Sequence, residues 1–191
     1  MAVLGAACIA AVVAAAPASA DQLPNRFGPP ATLTISLIGT IGSQCGFSSA
    51  PPTNAVLNDL TQANSLTLNF SLECNAGFAV GVSSQNGGLK NSGVTGVLAN
   101  GFTDLLDYKV ALQYQTDLGT VSGHCDAASL AAASPTCNFY GTAPGQGLSS
   151  GDGVAAGTPG SMTLSWTPPP NKKIAAGKYG DTITVTVGTR I

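Results

Sequence analysis

Charged residues are scarce in this sequence: Asp, Glu, Lys and Arg make up 8% of its 191 residues, against about 25% in an ordinary soluble domain. The seven basic residues are scattered and the net charge is −2, which excludes the basic surface that nucleic-acid binding requires. His124 is the single histidine and Glu73 the single glutamate. A site built from several histidines and a glycosidase site built from two glutamates are therefore excluded.

Motifs of catalysis and cofactor binding are also missing. The chain has no Cys-x-x-Cys pair and no phosphate-binding Gly-Lys-Ser/Thr loop. Gly147-Leu148-Ser149-Ser150-Gly151 fits the pattern of a nucleophile elbow, but it lies in a Gly-rich stretch and His124 precedes it, whereas the motif needs a strand before it and its histidine after it. The sequence therefore predicts a protein that is not an enzyme and has no catalytic residue, metal site or cofactor.

The amino-terminal part of the sequence predicts export. Residues 2–16 are almost wholly apolar and are followed by Ala18-Ser19-Ala20, the small-residue pattern that signal peptidase cleaves. The apolar run is shorter than the ~20 residues of a membrane-spanning helix. We expect a signal peptide at 1–20, although its start lacks Lys and Arg and the true start codon could lie upstream, and a flexible leader at 21–30.

Polar and apolar residues alternate with period two along most of the remaining chain, which is typical of strands with one buried face. Residues 54–60 are open to two interpretations, a short strand or a single helical turn. Glycine and proline together make up nearly a fifth of the chain, which supplies turns between about seven short strands, as in an Ig-like β-sandwich. The alternating apolar residues are Leu33, Ile35, Leu37 and Ile41; Leu66, Leu68, Phe70 and Leu72; Phe78, Val80 and Val82; Leu106, Tyr108, Val110, Leu112 and Tyr114; Met162, Leu164 and Trp166; and Ile183, Val185 and Val187.

Four cysteines follow the predicted signal peptide: Cys45, Cys74, Cys125 and Cys137. An even number in an exported chain indicates two disulfides, with three possible connectivities. Cys45 and Cys74 are in phase with the inward residues of their strands, so a bridge between them is the simplest pairing. Cys125 and Cys137 are close in sequence and would form the second bridge.

The C-terminal stretch Gly177-Lys178-Tyr179-Gly180-Asp181-Thr182, followed by Ile183, Val185 and Val187 in alternation, resembles the ending of the spore coat protein U-like family. That family includes the subunits of archaic chaperone–usher pili. Three further segments resemble family landmarks in the same order: the alternating run before Cys45, the strand ending at Cys74 with the strand after it, and Asp107-Tyr108-Lys109-Val110. The pair Cys125 and Cys137 and a long Gly/Ala-rich loop at 118–160 depart from the family pattern.

The resemblance implies an incomplete β-sandwich at 42–191 that lacks its last strand, and an N-terminal donor strand at 31–41 that fills the same gap in a neighbouring subunit. The donor residues would be Leu33, Ile35, Leu37 and Ile41. The C-terminal edge strand that pairs with a chaperone or a donor would carry Tyr179, Asp181, Ile183, Val185 and Val187. The implied partners are a periplasmic chaperone, an outer-membrane usher and other pilus subunits, without nucleic acid.

The family resemblance implies a structural subunit of a surface fibre, exported through the periplasm, that serves adhesion or biofilm formation. Two alternatives remain open at this stage. One is a monomeric secreted β-sandwich that binds a ligand, in which residues 31–41 form an ordinary first strand. The other is a structural protein of a spore or cell coat.

Overall fold

The computed structural model describes residues 34–190. The predicted signal peptide, the flexible leader and Leu33 lie outside the described residues. Residues 34–40 form a unit separate from residues 41–191 and contain neither strand nor helix. No helix in the described part of the chain is both long enough and apolar enough to cross a membrane.

The domain is all-β and sandwich-like, as predicted, with a single short helix among its described residues. In chain order the elements are β1 (Cys45–Ser49), β2 (Asn64–Cys74), β3 (Phe78–Ser84), β4 (Leu89–Asn91), β5 (Phe102–Thr103), β6 (Leu105–Leu106), β7 (Tyr108–Thr116), β8 (Gly119–Asp126), α1 (Ala127–Ala131), β9 (Leu148–Ser149), β10 (Ala155–Trp166), β11 (Lys173–Ile174), β12 (Tyr179–Gly180) and β13 (Ile183–Thr189).

One layer is a five-stranded antiparallel sheet in the order β1-β2-β10-β7-β8. The other layer contains two three-stranded sheets, β13-β3-β9 and β12-β4-β6, and β11 and β5 form a small parallel pair. The inward side chains of both layers form one apolar core. The rings of Phe78 and Tyr114 meet across it with centroids 5.4 Å apart.

Regular alternation explains the five-stranded sheet. Along β7 every second side chain is buried, from Tyr108 to Thr116, and the side chains between them are exposed. On β10, Gly160 lies opposite Phe70 of β2, and a Cβ at this position would collide with the Phe70 ring. Glycine is therefore required there because the ring lies directly against the β10 backbone.

The segment predicted as one loop at 118–160 is organised differently, and that prediction was wrong. It contains β8, α1, β9 and the first half of β10. α1 packs against β3, and the segment after it extends the edge of β3 beside β9, where Val82 exchanges backbone hydrogen bonds with Phe139 and Gly141. Strand β3 is consequently buried almost throughout on both faces. Residues 54–60 form neither the short strand nor the helical turn that the sequence left open.

Both disulfides expected from the sequence are present. Cys45 and Cys74 are directly opposite in the β1–β2 pair and are bonded. Cys125 at the end of β8 is bonded to Cys137 beyond α1. Because disulfides persist in oxidising compartments, two of them fit a secreted or extracellular protein.

Candidate functional site

Two strands of the described structure leave backbone edges unpaired on the same side of the sandwich. β1 pairs only with residues 71–74 of β2, so residues 64–70 of β2 have β10 on one side and no strand on the other. β13 pairs with β3 on one side and is the outermost strand of its sheet on the other. Unpaired edges of this kind are templates for the addition of a further strand.

An apolar cavity of about 490 Å³ lies between these two edges, and we call it the open groove. Its floor is formed by inward side chains of the three strands that border it: Leu66 and Leu68 of β2, Met162 and Leu164 of β10, and Ile183 and Val185 of β13. Met162 and Leu164 are buried, but the four side chains from β2 and β13 are only half-buried. These two edge strands therefore leave apolar surface uncovered that a further strand could bury.

Four of the five C-terminal residues singled out from the sequence line the groove, namely Tyr179, Asp181, Ile183 and Val185, whereas Val187 does not. Ile183, Val185 and Val187 point inward from β13 and pack against the core, although each stays half-buried. Tyr179 lies on β12, where its hydroxyl is 2.9 Å from the Ala175 carbonyl and 3.1 Å from the Thr103 carbonyl. Tyr179 thus fixes the chain just before β13 begins.

Asp181 accepts four hydrogen bonds at the turn between β12 and β13. Oδ2 accepts from the hydroxyls of Ser84 and Tyr108, each at 2.6 Å. Oδ1 accepts from the backbone N–H groups of Asn86 at 2.9 Å and Thr182 at 2.7 Å. The carboxylate therefore joins β3, β7 and β13 at the end of the groove where Ile183 lies.

Burial is the main cause of a raised pKa at Tyr108, and the nearby Asp181 carboxylate raises it further. Burial also raises the pKa of Tyr114, against a smaller opposing effect of Arg190. Both hydroxyls therefore stay protonated at neutral pH and act as hydrogen-bond donors. Tyr114 donates to the Leu148 carbonyl at 2.8 Å, and together with Tyr108 it links the two layers.

The described residues of the predicted donor segment are exposed. Ile35 is 70% exposed, and Leu37 and Ile41 are each 90% exposed. Residues 34–44 contain no strand, although the alternation predicted one at 31–41. The backbone N–H and C=O groups of an isolated strand have no hydrogen-bond partners within the strand. Alternation of polar and apolar residues therefore does not produce a strand unless a partner edge is present.

Residues 42–44, directly after this segment, are anchored to the end of β2. Asn75 accepts a hydrogen bond from the Gln44 N–H at 2.7 Å and donates one to the Gly42 carbonyl at 3.0 Å. Its own N–H donates to the Gln44 carbonyl at 3.1 Å. With the Cys45–Cys74 bridge beside them, these bonds fix the point at which the chain enters the domain.

No hydrogen bond among residues 34–190 joins the candidates for catalysis and metal binding that the sequence raised. Ser149 lies on β9 and is hydrogen bonded to Arg190, while His124 is exposed on β8. No group of three His, Cys, Asp or Glu side chains suited to a metal ion occurs within residues 34–190. The indole N–H of Trp166 is the one buried side-chain polar atom in that range without a hydrogen-bond partner.

Sequence reasoning identified the groove residues that β13 contributes but missed those that β2 and β10 contribute. Leu66, Leu68, Met162 and Leu164 were predicted as ordinary core residues, because alternation gives the inward face of a strand and not whether that face is covered. It also missed Leu57 and Leu60, which pack against the core from the β1–β2 loop. Their Leu-x-x-Leu spacing is the available signal.

No family profile matches the chain, and no curated protein matches it significantly.

Proposed function

We propose that this chain is an exported structural subunit that polymerises by donor-strand exchange into a surface fibre of the chaperone–usher type. The observation that carries the proposal is the open groove between the unpaired edges of β2 and β13, whose floor is apolar and only partly covered. The occupant is residues 31–41 of a second copy of the chain. The resemblance of the C-terminal Gly-x-Tyr-x-Asp-Thr sequence to pilus subunits supports the same function.

The donor segment suits the groove in pattern and in length. β13 is seven residues long and pairs on one side only; it spans about 23 Å at 3.3 Å per residue, and eleven residues at 31–41 span about 36 Å. Alternate residues Ile35 and Leu37 would enter the groove while Thr34 and Ser36 face outward. Main-chain hydrogen bonds to the β13 edge supply affinity and the apolar side chains supply specificity, as in other strand-addition complexes.

Burial of the donor side chains provides the driving force. Ile35, Leu37 and Ile41 are exposed to solvent, and full burial of a large aliphatic side chain contributes about 1.5–3 kcal/mol. Donor insertion also buries apolar surface of the groove, since Leu66, Leu68, Ile183 and Val185 are only partly buried in the unoccupied domain. Donor insertion therefore covers two apolar surfaces of this chain in one step.

The partners and the location follow from the same mechanism. A periplasmic chaperone lends a strand to the groove before assembly, because a free groove exposes an aggregation-prone edge. At an outer-membrane usher the donor segment of the next subunit replaces it, and the finished fibre serves adhesion or biofilm formation at the cell surface. The two disulfides suit this oxidising route.

Substitution in the donor segment tests the proposal. We expect Ile35→Asp to abolish polymers while the domain stays folded, because a charge cannot enter the apolar groove. Thr34→Asp is the matched control and should assemble nearly normally, because residue 34 faces outward. Polymer length is measured by light scattering and electron microscopy after co-expression with a chaperone, and folding by circular dichroism.

Two outcomes would overturn the proposal. If Ile35→Asp unfolds the subunit with chaperone present, residues 31–41 belong to its own core. If the unmodified protein is a soluble, cooperatively folding monomer that neither polymerises nor takes up a peptide of residues 31–41, it is a secreted binding module instead.

A further inference from the structure

The loop between β1 and β2, residues 50–63, borders the open groove. It contains fourteen residues without a helix or strand, and loops of this length are uncommon in compact domains and are usually either functional or linker segments. Pro51, Leu57 and Leu60 are half-buried, whereas all its other residues are exposed. The loop therefore contacts the domain through three apolar side chains, and two of them are leucines in its second half.

Hydrogen bonds do not attach this loop to the sandwich. Within residues 34–190, no hydrogen bond joins residues 50–63 to either layer. Its own hydrogen bonds are local: Asp59 accepts from the Thr61 N–H at 2.9 Å and from the Thr61 hydroxyl at 2.6 Å. A segment held by few buried contacts and no backbone bonds opens at low cost compared with the strands beside it.

Leu57 and Leu60 line the same cavity as Leu66 and Ile183. A donor strand that pairs with the free edge of β13 would lie beside β2. It must therefore enter the space that Leu57 and Leu60 border. The loop also returns to the sheet at Asn64, where the unpaired stretch of β2 begins. Loop and incoming strand therefore require the same space.

We infer that residues 50–63 form a displaceable lid, in which Leu57 and Leu60 cover the groove floor until a donor strand replaces them; the inference rests on the proposed function. The lid reduces the apolar surface that an unoccupied subunit exposes. It also competes with the donor, so the apparent affinity falls by the fraction of molecules in which the lid is open. The lid thus delays assembly until a donor strand is present at high local concentration.

The rate at which the groove takes up a donor peptide reports directly on the opening of the lid. The acceptor is the mature protein carrying Ile35→Asp, so that copies do not fill one another, and the probe is a fluorescent peptide of residues 31–41. With an open state populated at 0.1–10%, Leu57→Ser/Leu60→Ser should raise the association rate about tenfold or more. Leu118→Ser is the matched control: Leu118 is 71% exposed in the β7–β8 turn and should leave the rate within about twofold.

The outcomes separate the lid from donor insertion. If the unmodified loop and the double variant take up peptide equally fast, the loop is a fixed wall: the lid is wrong and the proposed function stands. If neither takes up peptide, both the lid and donor insertion are wrong. Circular dichroism verifies folding, and should the double variant be unfolded, Leu57→Ala alone must give a faster rate than Leu118→Ala for the lid to hold.

Discussion

The Tyr108 hydroxyl donates a 2.6 Å hydrogen bond to Oδ2 of Asp181, which joins the start of β7 in one layer to the turn before β13 in the other. Tyr108 is buried at the base of its strand and borders the open groove. β13 has a strand on only one side, so its position depends on contacts at its ends. The Tyr108–Asp181 bond thus helps to fix the strand that would receive a donor.

Replacement of Asp181 by alanine should destabilise the domain by about 2–4 kcal/mol, because four donors lose a charged acceptor. Asp107→Ala is the control: it removes an exposed carboxylate next to Tyr108 and should cost less than about 0.5 kcal/mol. Urea unfolding followed through the fluorescence of Trp166 measures both. Equal stability of the two variants would show that the Asp181 cluster does not hold β13.

Stability should fall in alkaline solution because the pKa values of Tyr108 and Tyr114 are raised by burial in the folded protein. Below the pKa of an unfolded tyrosine, about 10, both tyrosines keep their protons in the folded and in the unfolded state. The domain therefore retains its full stability in this pH range. Above it the unfolded chain ionises first, so stability decreases with rising pH by about 1.4 kcal/mol per pH unit for each tyrosine.

Midpoints of urea unfolding measured between about pH 8 and 11 should show this loss of stability. Tyr108→Phe should reduce the rate at which the midpoint falls with rising pH. A comparison of the two proteins isolates Tyr108, since all other groups are shared. An unchanged slope in the variant would contradict a raised pKa at this residue.

The two disulfides should contribute unequally to the stability of the folded domain. The Cys45–Cys74 bridge spans 29 residues and the Cys125–Cys137 bridge spans 12, and loop-closure entropy assigns them about 4 and about 3 kcal/mol respectively. The first bridge also holds β1, which pairs with only four residues of β2. We expect Cys45→Ala/Cys74→Ala to leave far less folded protein than Cys125→Ala/Cys137→Ala.

Urea unfolding compares the two double variants, and hydrogen exchange shows where each loses structure. Loss of the first bridge should expose the amides of β1, and loss of the second those around α1. The reverse order of stability would show that native-state packing and not chain entropy dominates.

The strands predicted from the sequence were those with strong apolar alternation. β2, β7 and β10 follow this pattern because one face of each is buried in a common core. β8 escaped prediction because only Val121 and Cys125 are apolar in it; its conformation comes from its pairing with β7 along eight residues. α1 is short and Ala-rich, and its signal was hidden in a stretch interpreted as a loop.

The sequence predicted the β13 residues of the candidate site but neither the rest of its lining nor its shape. The pattern that ends with Ile183, Val185 and Val187 marked an inward strand face, and the resemblance marked that strand as an edge. Whether the inward face of a strand is covered depends on which strands lie next to it. The period of apolar residues along a sequence does not specify that order. The lid residues Leu57 and Leu60 were missed because their contact with the core depends on how the loop lies on the domain, which no local period specifies.

Two variants, one with a defective donor segment and one with a defective groove, should combine with each other although neither polymerises alone. Ile35→Asp disables the donor and leaves the groove intact, whereas Val185→Asp places a charge in the groove and leaves the donor intact. Each variant should remain unpolymerised, because every junction in a homopolymer needs one donor and one groove. Mixed together, they should form a heterodimer that stops at two subunits, with the donor of the Val185→Asp chain in the groove of the Ile35→Asp chain.

Light scattering and native mass spectrometry of separately purified, differently tagged chains measure this stoichiometry. Thr184→Asp is the matched control for Val185→Asp: Thr184 lies on the same strand with its side chain exposed, and the variant should still polymerise. The heterodimer requires a head-to-tail junction between the donor segment and the groove, since a symmetric interface would be damaged on both partners and would not be restored by mixing. A mixture that stays monomeric while both chains are folded would therefore exclude residues 31–41 and the β13 groove as the two halves of one junction.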